Sequence, residues 1–349
     1  MYPVAIMGES LSCQFMALAA RASGFTQLSR YAVAQAPSAT PALYSFGANA
    51  SRLLRALAPD TLEALGFQPD RHQVRFSQSA YLLAELPLGE FYQQRYGSPL
   101  VNVAADKLHA ELERILNTTV QPARDLAAVE SEHQLTVLGE AQRADTADSV
   151  PAPFKVFHAT LPEHPLRRAN VLWRGPGQYI EQLADGENVH FRMVTRAHQD
   201  FTEAEWHHSL HPALAAKIEI GSIDPQAFQP RDTLFGGRVA FLSDTQTCLP
   251  SKIDAANTGM EDAWVLSRMM ENYEEDVSDG LAAFERFRRP RQRKVALQMR
   301  SQLKSLTETS TRKRVQQHVA TALRNRLLPE IALQQQDWLY EHDVIKGFR

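Results

Sequence analysis

The first thirty residues leave this chain few ways to fold. Val4-Ala-Ile-Met7 is a short β-prone run, Gly8 follows it, and Leu11 to Ala22 is rich in alanine with apolar residues at helical spacing. Strand, turn and helix, followed by a second strand predicted over Gly24-Phe-Thr-Gln-Leu-Ser29, make the opening of a βαβ unit. With 349 residues and 44% hydrophobic side chains, the chain can bury one large or two ordinary domains around such a start.

The rest of the chain commutes between two kinds of pattern. Ala48 to Leu57 and Thr61 to Leu65 read as helical turns ending at Gly66, and Ala105 to Leu116 carries Leu108, Leu112, Ile115 and Leu116 on one helical face. Val74 to Leu86 alternates and begins a second sheet. Phe154 to Ala159, Ala169 to Trp173, Tyr179 to Leu183 and Val189 to Thr195 continue it as short strands with Gly, Pro and Asp-Gly turns between them, the pattern of an antiparallel sheet. Asp185-Gly186 falls between two of these strands and reads as a hairpin turn. Leu135 to Leu138 and Arg238 to Leu242 are further strands, Glu140 to Pro153 is a polar loop, and Thr202 to Ile218 is helical. From Asn257 to Arg326 the pattern is mostly helical, and Pro290 is expected to kink or end one helix. There is no internal repeat.

Composition narrows the function classes. Two cysteines make no disulfide framework and fit a reducing, cytoplasmic setting. The N-terminal apolar run is too short for a signal peptide and reads as a strand, and no run has the length of a membrane span. Between Arg286 and Arg314 eleven Lys or Arg stand against one acid, Glu308; without interleaved aromatics this reads as a solvated helical face and not as a nucleic-acid surface. In His207-His208-x-x-His211 only His207 and His211 share a helical face, so a metal site is not expected. No G-x-S-x-G elbow and no Walker loop is present.

The stretch Arg238-Val-Ala-Phe-Leu-Ser-Asp244, with Pro250, Asn257 and Glu261-Asp262-Ala263 after it, resembles a flavin-binding signature of the flavoprotein aromatic monooxygenases, the group of para-hydroxybenzoate hydroxylase and the ubiquinone-pathway hydroxylases. Val4-Ala-Ile-Met-Gly8-Glu-Ser10-Leu-Ser-Cys13 resembles the family's V-A-I-I-G-A-G-x-x-G. Phe46-Gly47-Ala-Asn49-Ala-x-Arg52 and Val103-Ala-Ala105-Asp106-Lys-Leu108 resemble two internal segments. Phe284-Glu-Arg-Phe-Arg288-Arg289-Pro290-Arg291 and Asp337-Trp338-Leu339-Tyr340-x-x-Asp343 resemble the family's C-terminal motifs. The family's Asp-Gly signature is absent from the region of Arg143 to Val150 where it belongs.

The resemblance implies an α/β protein. A Rossmann-like FAD-type domain is expected from residues 1–72, 100–150 and 236–285, an inserted antiparallel sheet domain carrying the substrate pocket from 73–99 and 151–235, and a helical C-terminal region from 286–349. It also implies hydroxylation of an aromatic or quinone-like small molecule with FAD, NAD(P)H and O2, and a homodimer or a pathway partner protein. The positions that match the family's cofactor contacts are Gly8, Ser10, Cys13, Ser29, Ala105, Asp244, Pro250 and Asn257; none matches a catalytic residue. Several depart from the pattern. Ser10 and Cys13 replace glycines, Ser29 stands for the ribose-binding acid, Ala105 for an arginine, and Ser243 for a glycine. Two crowded side chains at about 1–3 kcal/mol each and a lost carboxylate bond at about 1.5–3 kcal/mol total roughly 5 kcal/mol. That weakens FAD binding by between three and four powers of ten. A flavin-free homologue acting as a small-molecule-binding or accessory protein is the alternative. In it Cys13 and Cys248 are either small apolar fillers or, converging on the vacated site, a redox pair or metal site.

Overall fold

A computed structural model of the protein describes residues 2–33, 42–139, 154–162, 164–196, 233–243, 252–327 and 329–348. Through them run β1 (Val4–Met7), α1 (Leu11–Ala22), β2 (Leu28–Tyr31), β3 (Leu43–Phe46), α2 (Ala48–Leu57), α3 (Pro59–Leu65), β4 (Gly66–Phe67), β5 (Arg71–Phe76), β6 (Leu82–Pro87), α4 (Glu90–Tyr96), β7 (Val101–Ala104), α5 (Ala105–Leu116), β8 (Val120–Gln121), α6 (Leu126–Glu132) and β9 (Leu135–Leu138). The chain continues with β10 (Phe154–Pro162), β11 (Ala169–Gly175), β12 (Gln178–Ala184), β13 (Asn188–Arg196), β14 (Phe235–Gly236), β15 (Val239–Phe241), α7 (Lys252–Asn272), α8 (Val277–Leu306), α9 (Thr311–Leu327) and α10 (Pro329–Tyr340).

β15, β9, β1, β2 and β8 lie parallel in that order, with β14 antiparallel at one edge. β1 and β9 are buried along their whole length, as strands covered on both faces must be. On one face α1 and α7 seal the largest apolar core, which includes Ile6, Phe15, Met16, Leu108, Val137, Met260 and Phe284. On the other, Met7, Tyr31 and Leu138 pack with Val129 of α6.

The second sheet has the order β10-β13-β12-β11-β5-β6. Its side chains alternate with period two. Phe157, Trp173, Ile180 and Met193 gather on one face, whereas Val156, Tyr179 and Val194 meet Val295, Met299 and Leu303 of α8 on the other. A small sheet, β3-β7-β4, lies between the two large ones and is tied to the second by a buried amide pair in which Asn102 Nδ2 donates to Asn170 Oδ1 at 2.7 Å.

The strands expected between 154 and 195 are present. The hairpin at Asp185-Gly186 forms, with Gly186 at φ 96° and Asp185 Oδ1 accepting from the backbone of Glu187 and Asn188. Three expectations need correction. The second strand runs Leu28–Tyr31 rather than ending at Ser29, because Phe25 turns into the core against Tyr2. The second sheet is not purely antiparallel: β5 pairs in parallel with β11, which the long excursion between them permits. Pro290 does not end its helix; α8 continues through it, held to α7 by side chains before and after the proline. Position 286, the expected start of the C-terminal region, lies inside α8. Thr202 to Ile218, Glu140 to Pro153 and the three histidines lie outside the described residues.

Candidate functional site

The site is the carboxyl edge of the parallel sheet, where β1 turns into α1. Gly8 sits at φ 123° and its N–H donates to the Tyr31 carbonyl at 2.9 Å, a conformation that a side chain would strain. Two residues on, Ser10 is the N-cap of α1 and its hydroxyl accepts from the Cys13 N–H at 3.4 Å. A helix N-terminus offers unpaired N–H groups to an anion, and here the chain supplies its own oxygen to one of them. Cys13 is fully buried, its thiol reaching the Met7 carbonyl at 3.4 Å.

Gly139, just past β9, closes this corner. A Cβ there would stand 2.1 Å from Cys13 Sγ and 2.8 Å from Ser10 Oγ. The space that a glycine at position 13 would free is thus taken by sulfur and matched by a glycine across from it. Gly139→Ala should destabilise the protein by about 2 kcal/mol. Combined with Cys13→Ala it should recover most of that loss, which a double-mutant cycle in urea would measure.

Ser29 lies mid-strand, paired with Ala5, and the strand ends on Tyr31. The residue at the carboxyl end of β2 is Tyr31, two residues beyond the expected end of the strand. Its ring is buried, edge-on to His133 at 5.9 Å and with the Arg124 guanidinium 5.7 Å from its centre. The signal that was missed is Phe25, whose burial delays the strand.

The packed seam between α1 and α5 is spanned by a polar chain that sequence reasoning also missed. Arg30 grips Glu113 with both terminal nitrogens, and Gln14 Nε2 donates to the same carboxylate at 2.6 Å. This fixes the amide: Gln14 Oε1 accepts, so His109 Nδ1, 2.6 Å away, carries the proton, and His109 Nε2 accepts from the Tyr44 hydroxyl at 3.0 Å. Burial lowers the His109 pKa, which keeps that ring neutral. Ala105, one turn before His109, is itself buried and brings no charge.

The second motif shows a different logic. Ser243 is buried and its hydroxyl donates to Asp262, while Gln292 Nε2 donates to Ser243 Oγ at 3.0 Å. Asp262 and Glu261 of α7 face α8. Arg288 donates to Asp262 Oδ1 at 2.6 Å and to Glu261 Oε2 at 2.7 Å, all three side chains being wholly buried. Arg291 adds 2.8 Å to Glu261 Oε1 and bonds the carbonyls of Trp338 and Leu339, and Asn49 Nδ2 reaches Glu261 Oε1 at 2.7 Å. Arg52 holds the His342 carbonyl, and Asp337 is clamped by Arg95 and the Tyr96 hydroxyl. Of the motif residues, Asn49, Glu261, Asp262, Arg288 and Arg291 thus form one bonded network.

Burial would raise the Glu261 carboxyl, but Arg288 and Arg291 overcome it and hold it at about 2; burial pushes Asp262 up, with Arg288 opposing. His342 Nε2 faces the Arg288 guanidinium at 3.4 Å, so it accepts as the neutral ring, and burial lowers its pKa to about 4. The unfolded histidine takes a proton near pH 6.5, before the folded one does. Stability is thus full above about pH 6.5 and falls as pH drops toward 4, by about 2 kcal/mol after allowance for partial exposure. Urea titrations at several pH values should show this slope, and His342→Gln should reduce it, the remainder coming from His72, whose burial also lowers its pKa to about 4.

Asn257 Nδ2 donates to the Ser45 carbonyl at 3.3 Å, and its Oδ1, like that of Asn49, is buried without a hydrogen-bond partner. Asp244, Pro250 and Cys248 lie outside the described residues. Among the described residues no group of three or more metal-ligating side chains occurs, and no helix is long and apolar enough to cross a membrane.

No protein-family profile matches the chain, and no curated protein matches it. Solved structures do. A salicylate hydroxylase substrate complex superposes with TM-score 0.74 at 16% identity over 100% of this chain and 97% of that one. HpxO of Klebsiella pneumoniae, complexed with FAD and uric acid, gives 0.76 at 17% identity, covering 93% and 94%. 2,6-Dihydroxypyridine-3-hydroxylase of Arthrobacter nicotinovorans gives 0.69 at 12%, covering 89% and 94%. With its parallel sheet, its second sheet and its ion-paired helices, this chain has the fold of the flavoprotein aromatic monooxygenases.

Proposed function

We propose that this is a monooxygenase-type protein for an aromatic or quinone-like small molecule in which the grip on FAD is weakened by the chain's own side chains. The observation that carries this reading is the first turn of α1, where Ser10 caps the helix and Cys13 fills the corner against Gly139. Tyr31 at the end of β2 in place of a carboxylate, and buried Ala105 at the start of α5 in place of an arginine, add to this reading. These residues do not fit a tightly held FAD, and none of them replaces the redox chemistry that flavin, NAD(P)H and O2 supply in such hydroxylases.

What is retained supports a ligand-binding frame. Gly8 keeps its turn, and the Asn49 and Asn257 amide oxygens are buried acceptors that a donor on a small molecule would satisfy. The second reading is a flavin-free binding or accessory protein, favoured by the buried Tyr31 at the end of β2 being already engaged by His133 and the Arg124 guanidinium.

Titrating FAD into the purified protein and following flavin fluorescence separates these. Saturable binding in the micromolar range is the expected result. Nanomolar binding would contradict the weakened site, and no saturation at any accessible concentration would favour the flavin-free reading.

A further inference from the structure

Nine large hydrophobic side chains are exposed among the described residues, and five of them, Tyr81, Leu82, Val315, Val319 and Leu323, lie on α9 and on the β5–β6 turn at its side. The clustering makes this a surface and not a scatter of single residues. Val315, Val319 and Leu323 recur every four residues, so they form one stripe along α9; they are 54%, 52% and 53% exposed. The opposite side of the helix is the one that packs: Gln317 accepts from Arg174, His318 stacks edge-on to Phe76 at 5.3 Å, and the Asn325 side chain accepts from the Glu85 N–H. The Phe76 N–H donates to the Tyr81 carbonyl at 2.9 Å, so the 66%-exposed Tyr81 ring belongs to the turn leading into β6, the strand on which α9 packs.

Charge decides what covers it. α9 reads Thr311-Arg-Lys-Arg-Val-Gln-Gln-His-Val-Ala-Thr-Ala-Leu-Arg-Asn-Arg-Leu327, with five Lys or Arg and no acid. A second copy docking by the same face would bring these cations onto themselves. An apolar stripe on a helix carrying five cations and no acid, with an exposed tyrosine on the neighbouring turn, matches the interface of an anionic bilayer. We propose that α9 and the β5–β6 turn form a peripheral contact surface for anionic lipid. This does not depend on whether FAD is bound.

The test is co-sedimentation of the full-length protein with vesicles of phosphatidylglycerol and phosphatidylcholine, and with phosphatidylcholine alone. Binding to the anionic vesicles that falls with added salt is expected. The double variant Val319→Glu/Leu323→Glu, both at exposed positions, should weaken it at least about tenfold while leaving the circular-dichroism spectrum and denaturation midpoint unchanged. Equal binding to neutral vesicles, no binding to either, or an unchanged double variant would overturn the proposal. So would a stripe that instead mediates concentration-dependent self-association or salt-sensitive binding to duplex DNA, each lost in the same variant.

Discussion

Replacing Arg288 by methionine should lower stability by about 3–5 kcal/mol, read as a fall of at least about 6 °C in the unfolding midpoint. The guanidinium is wholly buried and serves two wholly buried carboxylates, so its loss removes the only cation paired with Asp262 and one of the two paired with Glu261. Arg291 still holds Glu261, but Asp262 keeps only the Ser243 hydroxyl and the Gln292 amide as partners. The double variant Arg288→Met/Asp262→Asn should therefore be more stable than Arg288→Met alone, because an amide satisfies the same two neighbours without a charge. If the single variant unfolds at the parent midpoint, the ion network is not what joins α7 to α8.

The second large effect concerns the first turn of α1. Ser10→Gly/Cys13→Gly should tighten FAD binding by about 30- to 1000-fold, the return of roughly 2–4 kcal/mol of steric and capping obstruction. Glycine at an N-cap costs only a few tenths of a kcal/mol relative to serine, and glycine at position 13 about 1 kcal/mol in helix propensity. The variant should therefore fold, with a modest drop in its urea midpoint. An FAD affinity equal to that of the parent would mean that these side chains do not obstruct the groove, and that Tyr31 and Ala105 alone account for weak binding. Adding Tyr31→Glu would then show whether the ribose position is the missing element.

Most of the fold was legible because its signals are local. The β1–α1 opening, the helix over Ala105 to Leu116 and the four strands from Phe154 to Thr195 each announce themselves by period and by turn residues. What stayed hidden depends on tertiary contact. The delay of β2 to Leu28 follows from Phe25 finding the core, the parallel β5–β11 pair joins segments almost a hundred residues apart, and Pro290 is tolerated because its neighbours are anchored on Glu261 and Asp262. Of the candidate site, the replaced glycines at 10 and 13 could be read directly from the motif, but their accommodation by Gly139 could not. The chain Arg30, Glu113, Gln14, His109 and Tyr44 is drawn from four separate elements, so no spacing in the sequence announces it.

The pattern of survival has a physical meaning. Glu261, Asp262, Arg288 and Arg291 form one buried ion network in which loss of Arg288 leaves Asp262 without a cationic partner. Positions 13, 31 and 105 carry buried side chains that pack, and Ser10 caps α1. A scaffold released from a tightly bound dinucleotide, but still required to fold, would keep the first set and lose the second.

The most direct test is the visible absorption spectrum of the protein after incubation with excess FAD and desalting. The account predicts a colourless protein, since a micromolar complex does not survive the column. Oxidised-flavin bands retained at close to one per chain would contradict it, and would mean that the groove accepts FAD despite Ser10, Cys13 and Tyr31.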